Sequence, residues 1–341
     1  GMAHMKNRVG IIGCGKIFPR HIEAINQNSE YQLISICDVD HDTLKEQTKN
    51  AGVTGYCDYK EMIEEGDLNF IVIATPNHQH YEQAIFCLQN GCDVLIEKPA
   101  TLNPDLINKI LAAAENNGQK AYCVLQVRLN SCIQNLKKLI DRSDIGKIRG
   151  VSLIQRWQRP REYFDDWRGK PHEGGGILHE CGIHYLDIMC YLFGKPKVIS
   201  SKKYNTKHQT KVEDTLYSIV DYGSFGGNIE VNISSEPSNL ECSLSISTDS
   251  GFIKLGGKAM NIVERVEFLD ENKTKTIRET IGRNSVIGSP NSYGSYSGSC
   301  PNHPSLYKKI KDFTLQETKN VLYLIHEIYQ ECDLYYSEEK L

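Results

Sequence analysis

From Arg8 onward, short apolar runs alternate with amphipathic stretches at a steady rhythm. Runs at 9–12, 32–37, 68–74, 93–96 and 121–126 are nearly continuous Val, Ile, Leu and Cys, and helical periodicity separates them at about 19–28, 41–50, 80–90 and from Pro104 to about 116. Strands that do not alternate in polarity are buried on both faces, and helices between such strands cover a parallel sheet. Residues 6–126 are therefore predicted to form a doubly wound α/β domain.

Beyond that point the pattern changes. A helix is predicted at about 131–141, a strand at 150–157 and a helix at about 182–193. Runs at 215–221, 227–233, 240–247, 251–255 and 263–269 then alternate in polarity and are joined by Gly-bearing turns, which is the signature of antiparallel strands. A Ser/Gly/Tyr/Asn-rich stretch at 285–303 precedes a segment at 304–313 and a last amphipathic helix at about 317–333. Residues 127–341 are thus predicted to form a second, α+β domain.

Composition narrows the class of partner. With 39 Lys+Arg against 43 Asp+Glu the net charge is −4, and no block of like charge occurs. A nucleic-acid or anionic-membrane binder needs clustered Lys/Arg, so neither is expected as a partner. The 12 cysteines lie in apolar runs with no C-x-x-C pair, which points to a reduced, cytoplasmic compartment. No apolar stretch approaches the roughly 18–20 residues of a spanning helix, and the first residues carry no leader-like apolar core.

Gly13-Cys14-Gly15-Lys16-Ile17-Phe18 follows the first strand directly and opens a helix. That context suits a dinucleotide turn: Gly13 and Gly15 permit a tight bend and close approach of N–H groups to a pyrophosphate, while Phe18 replaces the third glycine. Asp38 ends the next strand, 25 residues after Gly13, where a carboxylate takes the adenosine ribose hydroxyls and repels a 2′-phosphate; this favours NAD over NADP. The alternative for Asp38 is a turn residue before the helix near His41. Thr75, Pro76, Asn77 and His80 follow the 68–74 strand on the crevice side and are expected near the ribose and nicotinamide, although Asn77 also suits a helix cap. Glu97-Lys98-Pro99 closes the 93–96 strand at the same edge, where Lys98 reads as an acid/base, a hydroxyl-binding group or a solvated strand-end residue. Lys16, Ile17, Glu97, Lys98 and Gln126 complete the expected cofactor contacts. No metal site is expected: His78 and His80 lack a spaced partner set, and His179 and His184 are five apart rather than the four of H-E-x-x-H.

VGIIGCGKIFPRH (9–21), IATPNHQHYEQA (73–84), GCDVLIEKP (91–99), GGGILHECGIHYLD (174–187) and HPSLY (303–307) occur in one order along nearly the whole chain. Together they resemble the glucose–fructose oxidoreductase / inositol dehydrogenase / MocA family. The resemblance implies a Rossmann domain, a C-terminal α+β domain with an open, largely antiparallel sheet used for oligomer contacts, and NAD(P)-dependent chemistry at a sugar or polyol carbon. It carries the family lysine over to Lys98 and the family histidine to His184, with Glu180 standing where the family usually has Asp. Glu180, His184 and Asp187 share a face if all three lie on one helix.

A narrower resemblance is to UDP-N-acetylglucosaminuronate 3-dehydrogenases of O-antigen biosynthesis. It rests on IFPRHIEAI (17–25), GCDVLIEKP with Asn103-Pro104, VLQVR (124–128), the W…WRG stretch ending at Gly169, and NHPSLYK (302–308). A UDP-uronate brings a pyrophosphate and a carboxylate, which suit planar guanidinium forks. Arg128, Arg156, Arg159 and Arg168, with Trp167, are the candidate substrate-binding groups, or else part of a charged loop that also holds Glu162, Asp165 and Asp166. His184, His303 and Tyr307 are expected to complete the sugar pocket, and Tyr293 and Tyr296 to belong to a lid or a surface loop. The expected function is an NAD-dependent dehydrogenase acting at C3 of such a sugar, in a homo-oligomer, dimer or tetramer. Lys98, His184 and Glu180 are its catalytic candidates. Inositol, another hexose and a non-catalytic NAD sensor are the alternatives.

Overall fold

Six parallel strands form the first sheet: β1 (Asn7–Ile12), β2 (Tyr31–Cys37), β3 (Thr54–Tyr56), β4 (Phe70–Ile73), β5 (Asp93–Ile96) and β6 (Ala121–Cys123), in the order β3-β2-β1-β4-β5-β6. The computed structural model describes residues 5–283, 289–290 and 299–339. Every residue of β4 is buried, as its unbroken Phe-Ile-Val-Ile run requires of a strand covered on both faces. The connecting helices are α1 (Phe18–Asn26), α2 (His41–Ala51), α3 (Tyr59–Glu65), α4 (His80–Gln89) and α5 (Asp105–Asn116). The strand order reverses between β1 and β4, so the ligand crevice of this doubly wound sheet opens beyond the carboxyl ends of those strands.

The second sheet has seven strands: β7 (Ile148–Arg156), β8 (Lys197–Tyr204), β9 (Thr215–Asp221), β10 (Gly226–Asn232), β11 (Glu241–Thr248), β12 (Gly251–Gly256) and β13 (Ile262–Phe268). Their order is β13-β12-β11-β7-β10-β9-β8, antiparallel throughout except for the β7–β10 pair. Val151, Leu153 and Gln155 of β7 lie on a buried face with Leu216, Ile229, Leu244 and Ile246, while Tyr217 and Ile219 of β9 are exposed. The helices of this half are α6 (Ser131–Asp141), α7 (Pro171–Gly174), α8 (Ile183–Phe193) and α9 (Glu271–Gly282).

Near its end the chain forms α10 (His303–Lys308), α11 (Leu315–Thr318) and α12 (Asn320–Glu339). Two compact units result. The first runs to Leu125 and takes in Asn302–Lys319; the second begins at Gln126 and takes in α12. The division expected from the sequence, at residues 126/127, differs from this by one residue at the boundary and by the return of Asn302–Lys319 to the first unit. Within that unit α10 packs on α1, and Thr314 bridges to Tyr122 of β6. A short stretch with a Pro and an Asn cap carries no mark of which half it joins, because that is decided by the partner its apolar face finds.

Among the described residues, β3, α3, α7, β8 and α9 escape the sequence pattern. Helix α9 (ENKTKTIRETIG) buries only Ile277 and Ile281, too thin a stripe to show as amphipathic, although Asp270 caps it by accepting from the Asn272 N–H. Strand β8 (KVISSKKY) is a sheet edge with most positions in water, so its polarity reads as loop.

Candidate active site

In the first unit the Gly-rich turn is built against strands β2 and β4. Gly13 adopts φ +99° and donates its N–H to the Cys37 carbonyl at 2.8 Å. A Cβ at Gly13 would stand 2.5 Å from the Ala74 carbonyl oxygen, whereas one at Gly15 would meet nothing within 4 Å. The turn is thus pinned at its first glycine and open at its second, the arrangement a pyrophosphate cradle needs. Phe18, in place of a third glycine, is buried in the core of its unit. Lys16 is exposed and Ile17 half-buried. Asp38 accepts from the Cys14 N–H and from the Asp40 N–H, both at 2.8 Å. A carboxylate offers about four acceptor sites, so two hydrogen bonds hold it in place and leave capacity for two hydroxyls. The helix cap proper is Asp40, which accepts from the Asp42 and Thr43 N–H groups.

Further along the same edge, Thr75 donates to Gln83 at 2.6 Å and Asn77 is buried in a short turn before α4. The ring nitrogens of His80 lie 2.7 and 2.8 Å from the carbonyl oxygens of Thr75 and Pro99. Carbonyl oxygens only accept, so both are hydrogen bonds together only when the ring carries two protons. Lys98 is half-buried at the end of β5, and the Lys98–Pro99 bond is cis.

Glu97 departs from its expected role. It is buried, and its Oε1 accepts from Nε2 of His21 at 2.7 Å and from Nε2 of His303 at 2.8 Å. Nδ1 of His21 lies 2.7 Å from the hydroxyl of Tyr307. His303 and Tyr307, expected to line the sugar pocket, instead turn their polar atoms into this buried group. Together His21, Glu97 and His303 have the chemistry of a divalent-metal site. Their spacing decides otherwise: zinc ligands at ~2.0–2.1 Å from the metal stand about 3.3 Å apart in a tetrahedron, whereas these atoms meet at hydrogen-bond length. Burial opposes the charge on Glu97, but His303 and His21 outweigh it and hold the carboxyl well below its usual range. Burial pushes His21 down toward its neutral form, against the opposing pull of Glu97.

Both shifts give stability the same pH sign. With His21 depressed, the unfolded chain binds the extra proton as pH falls through ~6.5, and folding weakens from there downward. With Glu97 depressed, its contribution is present above ~4.3 and is lost as pH falls through the folded value. The melting temperature is expected to fall between about pH 7 and pH 5, and to fall less in His21→Asn. Equal slopes for the two proteins in thermal melts would refute the assignment.

In the second unit Arg128 is buried and grips Asp187 with two bonds, Nε to Oδ2 at 2.9 Å and Nη2 to Oδ1 at 2.5 Å, and stacks over Tyr191. Burial raises Asp187 while Arg128 opposes the rise. Asp187, which would share a face with Glu180 and His184 if one helix carried all three, is thus committed to the core. Glu180 lies not in α8 but in a wider π-turn, Leu178–Gly182, that leads into it, with its carboxylate 3.4 Å from Arg168. Glu213 and Tyr329 brace that turn: Tyr329 donates to Glu213 at 2.5 Å and accepts from the Leu178 N–H at 3.0 Å. Such turns recur at functional sites. His184 sits half-buried in the first turn of α8.

The expected arginine forks are largely engaged. Arg156 pairs with Glu230 at 2.5 Å on the sheet, so it and Arg128 are each engaged by a carboxylate of the chain itself. Arg159 stacks over Trp157 and donates to the Gln158 carbonyl, while Arg168 stacks over Trp167 and pairs with Asp166 at 2.6 Å. The Gln126 side-chain oxygen is buried with no hydrogen-bond partner among the described residues, an acceptor left open. Tyr293 and Tyr296 lie outside the described residues.

The sequence model of an oxidoreductase family with an NAD-binding Rossmann fold, GFO/IDH/MocA, matches residues 7–125, and that of the GFO/IDH/MocA C-terminal domain matches 133–254. The chain belongs to this family. Like other GFO/IDH/MocA proteins it is an oxidoreductase with an NAD-binding Rossmann domain. Among curated relatives, the Bacillus subtilis scyllo-inositol 2-dehydrogenase (NADP(+)) IolW is 26% identical over 73% of this chain and 69% of its own. The glucose-6-phosphate 3-dehydrogenase of the same organism is 26% identical over 72% and 70%. Among solved structures, the WlbA dehydrogenase of Bordetella pertussis in complex with NADH and UDP-GlcNAcA is 27% identical, with TM-score 0.86 over 98% of this chain and 97% of its own. The WlbA dehydrogenase of Chromobacterium violaceum with the same ligands is 25% identical, with TM-score 0.86 over 97% and 95%.

The two glycines of the turn separate fold from cofactor binding. Gly13→Ala sets a Cβ against the Ala74 carbonyl at positive φ and is expected to cost about 2–4 kcal/mol of stability. Gly15→Ala adds its methyl to open space. It is expected to melt like the parent yet bind NAD about tenfold more weakly or worse, because the methyl stands where N–H groups approach phosphate. Thermal melts and NAD titration of the pair check this; a Gly15→Ala variant with unchanged NAD affinity would displace the cradle from this turn.

Proposed function

We propose that the protein is an NAD-dependent dehydrogenase that oxidises a ring hydroxyl, C3, of a nucleotide-activated sugar such as UDP-N-acetylglucosaminuronate. The observation that carries this reading is Lys98, half-buried at the carboxyl edge of β5 in an NAD-binding domain, directly after the anchored Glu97. Likeness over almost the whole chain to two dehydrogenases solved with NADH and UDP-GlcNAcA supports the substrate class. The expected preference for NAD rests on Asp38, whose carboxylate beside the turn repels a 2′-phosphate.

Nicotinamide supplies the hydride acceptor. The chain supplies the rest: Gly13 and Gly15 seat the phosphates, Asp38 holds ribose hydroxyls, and Lys98 or His184 takes the hydroxyl proton while the other orients the sugar by hydrogen bonds. Arg168, stacked on Trp167 and linked to Glu180, is the fork best placed for an anionic substrate group within its unit. A homo-oligomer, dimer or tetramer, belongs to the same reading and is supported by the exposed Tyr217 and Ile219 of β9; light scattering that reads a monomer would remove it. Among the described residues no helix is long and apolar enough to cross a membrane.

The second reading, an inositol or free-sugar dehydrogenase, is favoured by the names of the curated relatives. Initial rates of NADH formation across UDP-hexosaminuronates, UDP-hexosamines, inositols and aldoses decide between them. A UDP-uronate is expected to give the highest kcat/KM by about a hundredfold, since charge-assisted recognition of two anionic groups is lost in neutral sugars. Equal or better turnover of an inositol would overturn the first reading. NADH binding without turnover of any substrate would favour a sensor.

A further inference from the structure

We propose that the segment Asn302–Lys319, which returns to the first unit from a distant part of the chain, sets the position of Lys98 through a hydrogen-bond circuit that meets at Glu97, making His303, Tyr307 and His21 positioning residues. The inference rests on the reading of Lys98 as the acid/base or substrate-orienting group.

The proton on each nitrogen of this circuit follows from its partners. An ionised carboxylate only accepts, so Nε2 of His21 and Nε2 of His303 both donate to Glu97 Oε1. In its neutral form His21 accepts at Nδ1 from the Tyr307 hydroxyl. One arrangement of protons satisfies the chain Tyr307 to His21 to Glu97, and His303 reaches the same carboxylate oxygen from the other side. The rings lock one another as well: His21 and His303 meet edge to face at 4.7 Å, and Tyr31 and Tyr307 at 5.1 Å.

Stability alone does not account for this choice of residues. A charged group buried with its partners contributes little that apolar packing of similar volume would not supply, and its best attested use is to specify one arrangement over others. The arrangement specified here is the end of β5. Glu97 is the residue before Lys98, and the carbonyl of Pro99, the residue after it, lies 2.8 Å from His80. Lys98 therefore stands between two neighbours that are each tied to a buried imidazole, while it is itself half-buried. Reacting groups need geometry held to a fraction of an ångström, and residues outside the reacting set supply it.

The test compares His303→Leu, His303→Gln, Tyr307→Phe and Lys98→Ala with the parent. His303→Gln keeps an N–H donor near the Nε2 position, and His303→Leu does not. His303→Leu is expected to lower kcat about ten- to a hundredfold and to change the rate of Lys98 acylation, read by mass spectrometry at one pH, by about threefold or more. NAD affinity should stay within about threefold, and His303→Gln should recover most of both losses. Should His303→Leu fail to fold, Tyr307→Phe, which removes one oxygen, is expected to move the same two readouts in the same direction. A folded His303→Leu protein with parental kcat and Lys98 labelling, or a Gln variant no better than the Leu variant, would overturn the proposal, as would stoichiometric zinc in the purified protein. Lys98→Ala separates the two layers. If that variant turns over at the parental rate the reading of Lys98 fails, and the acylation rates in the His303 variants still decide whether the circuit positions the amine.

Discussion

Lys98→Ala is expected to lower kcat by roughly 10²- to 10⁴-fold, the span for losing a positioned proton-transfer group, while leaving the affinity for NAD within about threefold. The residue is half-buried and lies two positions beyond β5, whose Val94, Leu95 and Ile96 form the buried part of the strand, so truncation opens no large cavity and the fold should persist. Its neighbours Glu97 and Pro99 keep their own hydrogen bonds, so the cofactor edge stays in place. Steady-state kinetics beside an NADH binding titration separate the two effects. A parental kcat would remove Lys98 from the chemistry, and loss of NAD binding in step with turnover would reassign it to the cofactor. The same comparison at His184 asks which of the two takes the proton: the base should lose mainly kcat, and the orienting group should also raise KM for the sugar.

Asp187→Ala carries the largest expected effect on stability. Arg128 and Asp187 are both buried and joined by two short bonds, so removing the carboxylate strands a guanidinium in the core at a cost of about 3–5 kcal/mol. Replacing both together, as Arg128→Met with Asp187→Leu, is expected to restore most of that loss, because the pair itself contributes little net stability beyond what apolar packing supplies. Urea unfolding of the single and double variants tests the cycle. A single variant within about 1 kcal/mol of the parent would show that the pair is solvated. Asp187 lies three residues after His184 on α8, so the double variant also asks whether the pair orients that helix: parental stability with reduced kcat is the expected result.

Much of the first unit was legible before any coordinates. The short apolar runs at β1, β2, β4 and β5, each bounded by turn residues and separated by helical stretches, read as strands of a covered sheet, and Gly13 follows β1 where a positive-φ residue completes the bend. Asp38 at the end of β2 was legible for the same reason, since strand order brings that position beside the turn. The arginines were misread in part: charge and spacing announce a fork, but not whether its acceptor is a ligand or a carboxylate of the chain such as Asp187 or Glu230. Glu180 shares a face with His184 only if one helix carries both, and the sequence could not decide this, because the one-residue widening of a π-turn leaves no mark in composition. Glu213 and Tyr329, which brace that turn, are separated by 116 positions and had no local signal.

What the sequence determined by itself was the order of most elements, the Gly-rich turn after β1 and the lysine that follows β5, because each depends on local periodicity or on residues within one strand-turn-helix unit. Only the tertiary structure decided which polar residues face one another. His21 and Glu97 are 76 residues apart and Glu97 and His303 206 apart, and a buried carboxylate selects its donors by position in space. Burial turned two candidate sugar ligands into an anchor, since a polar atom taken out of water must satisfy itself within the fold before it is offered to a substrate.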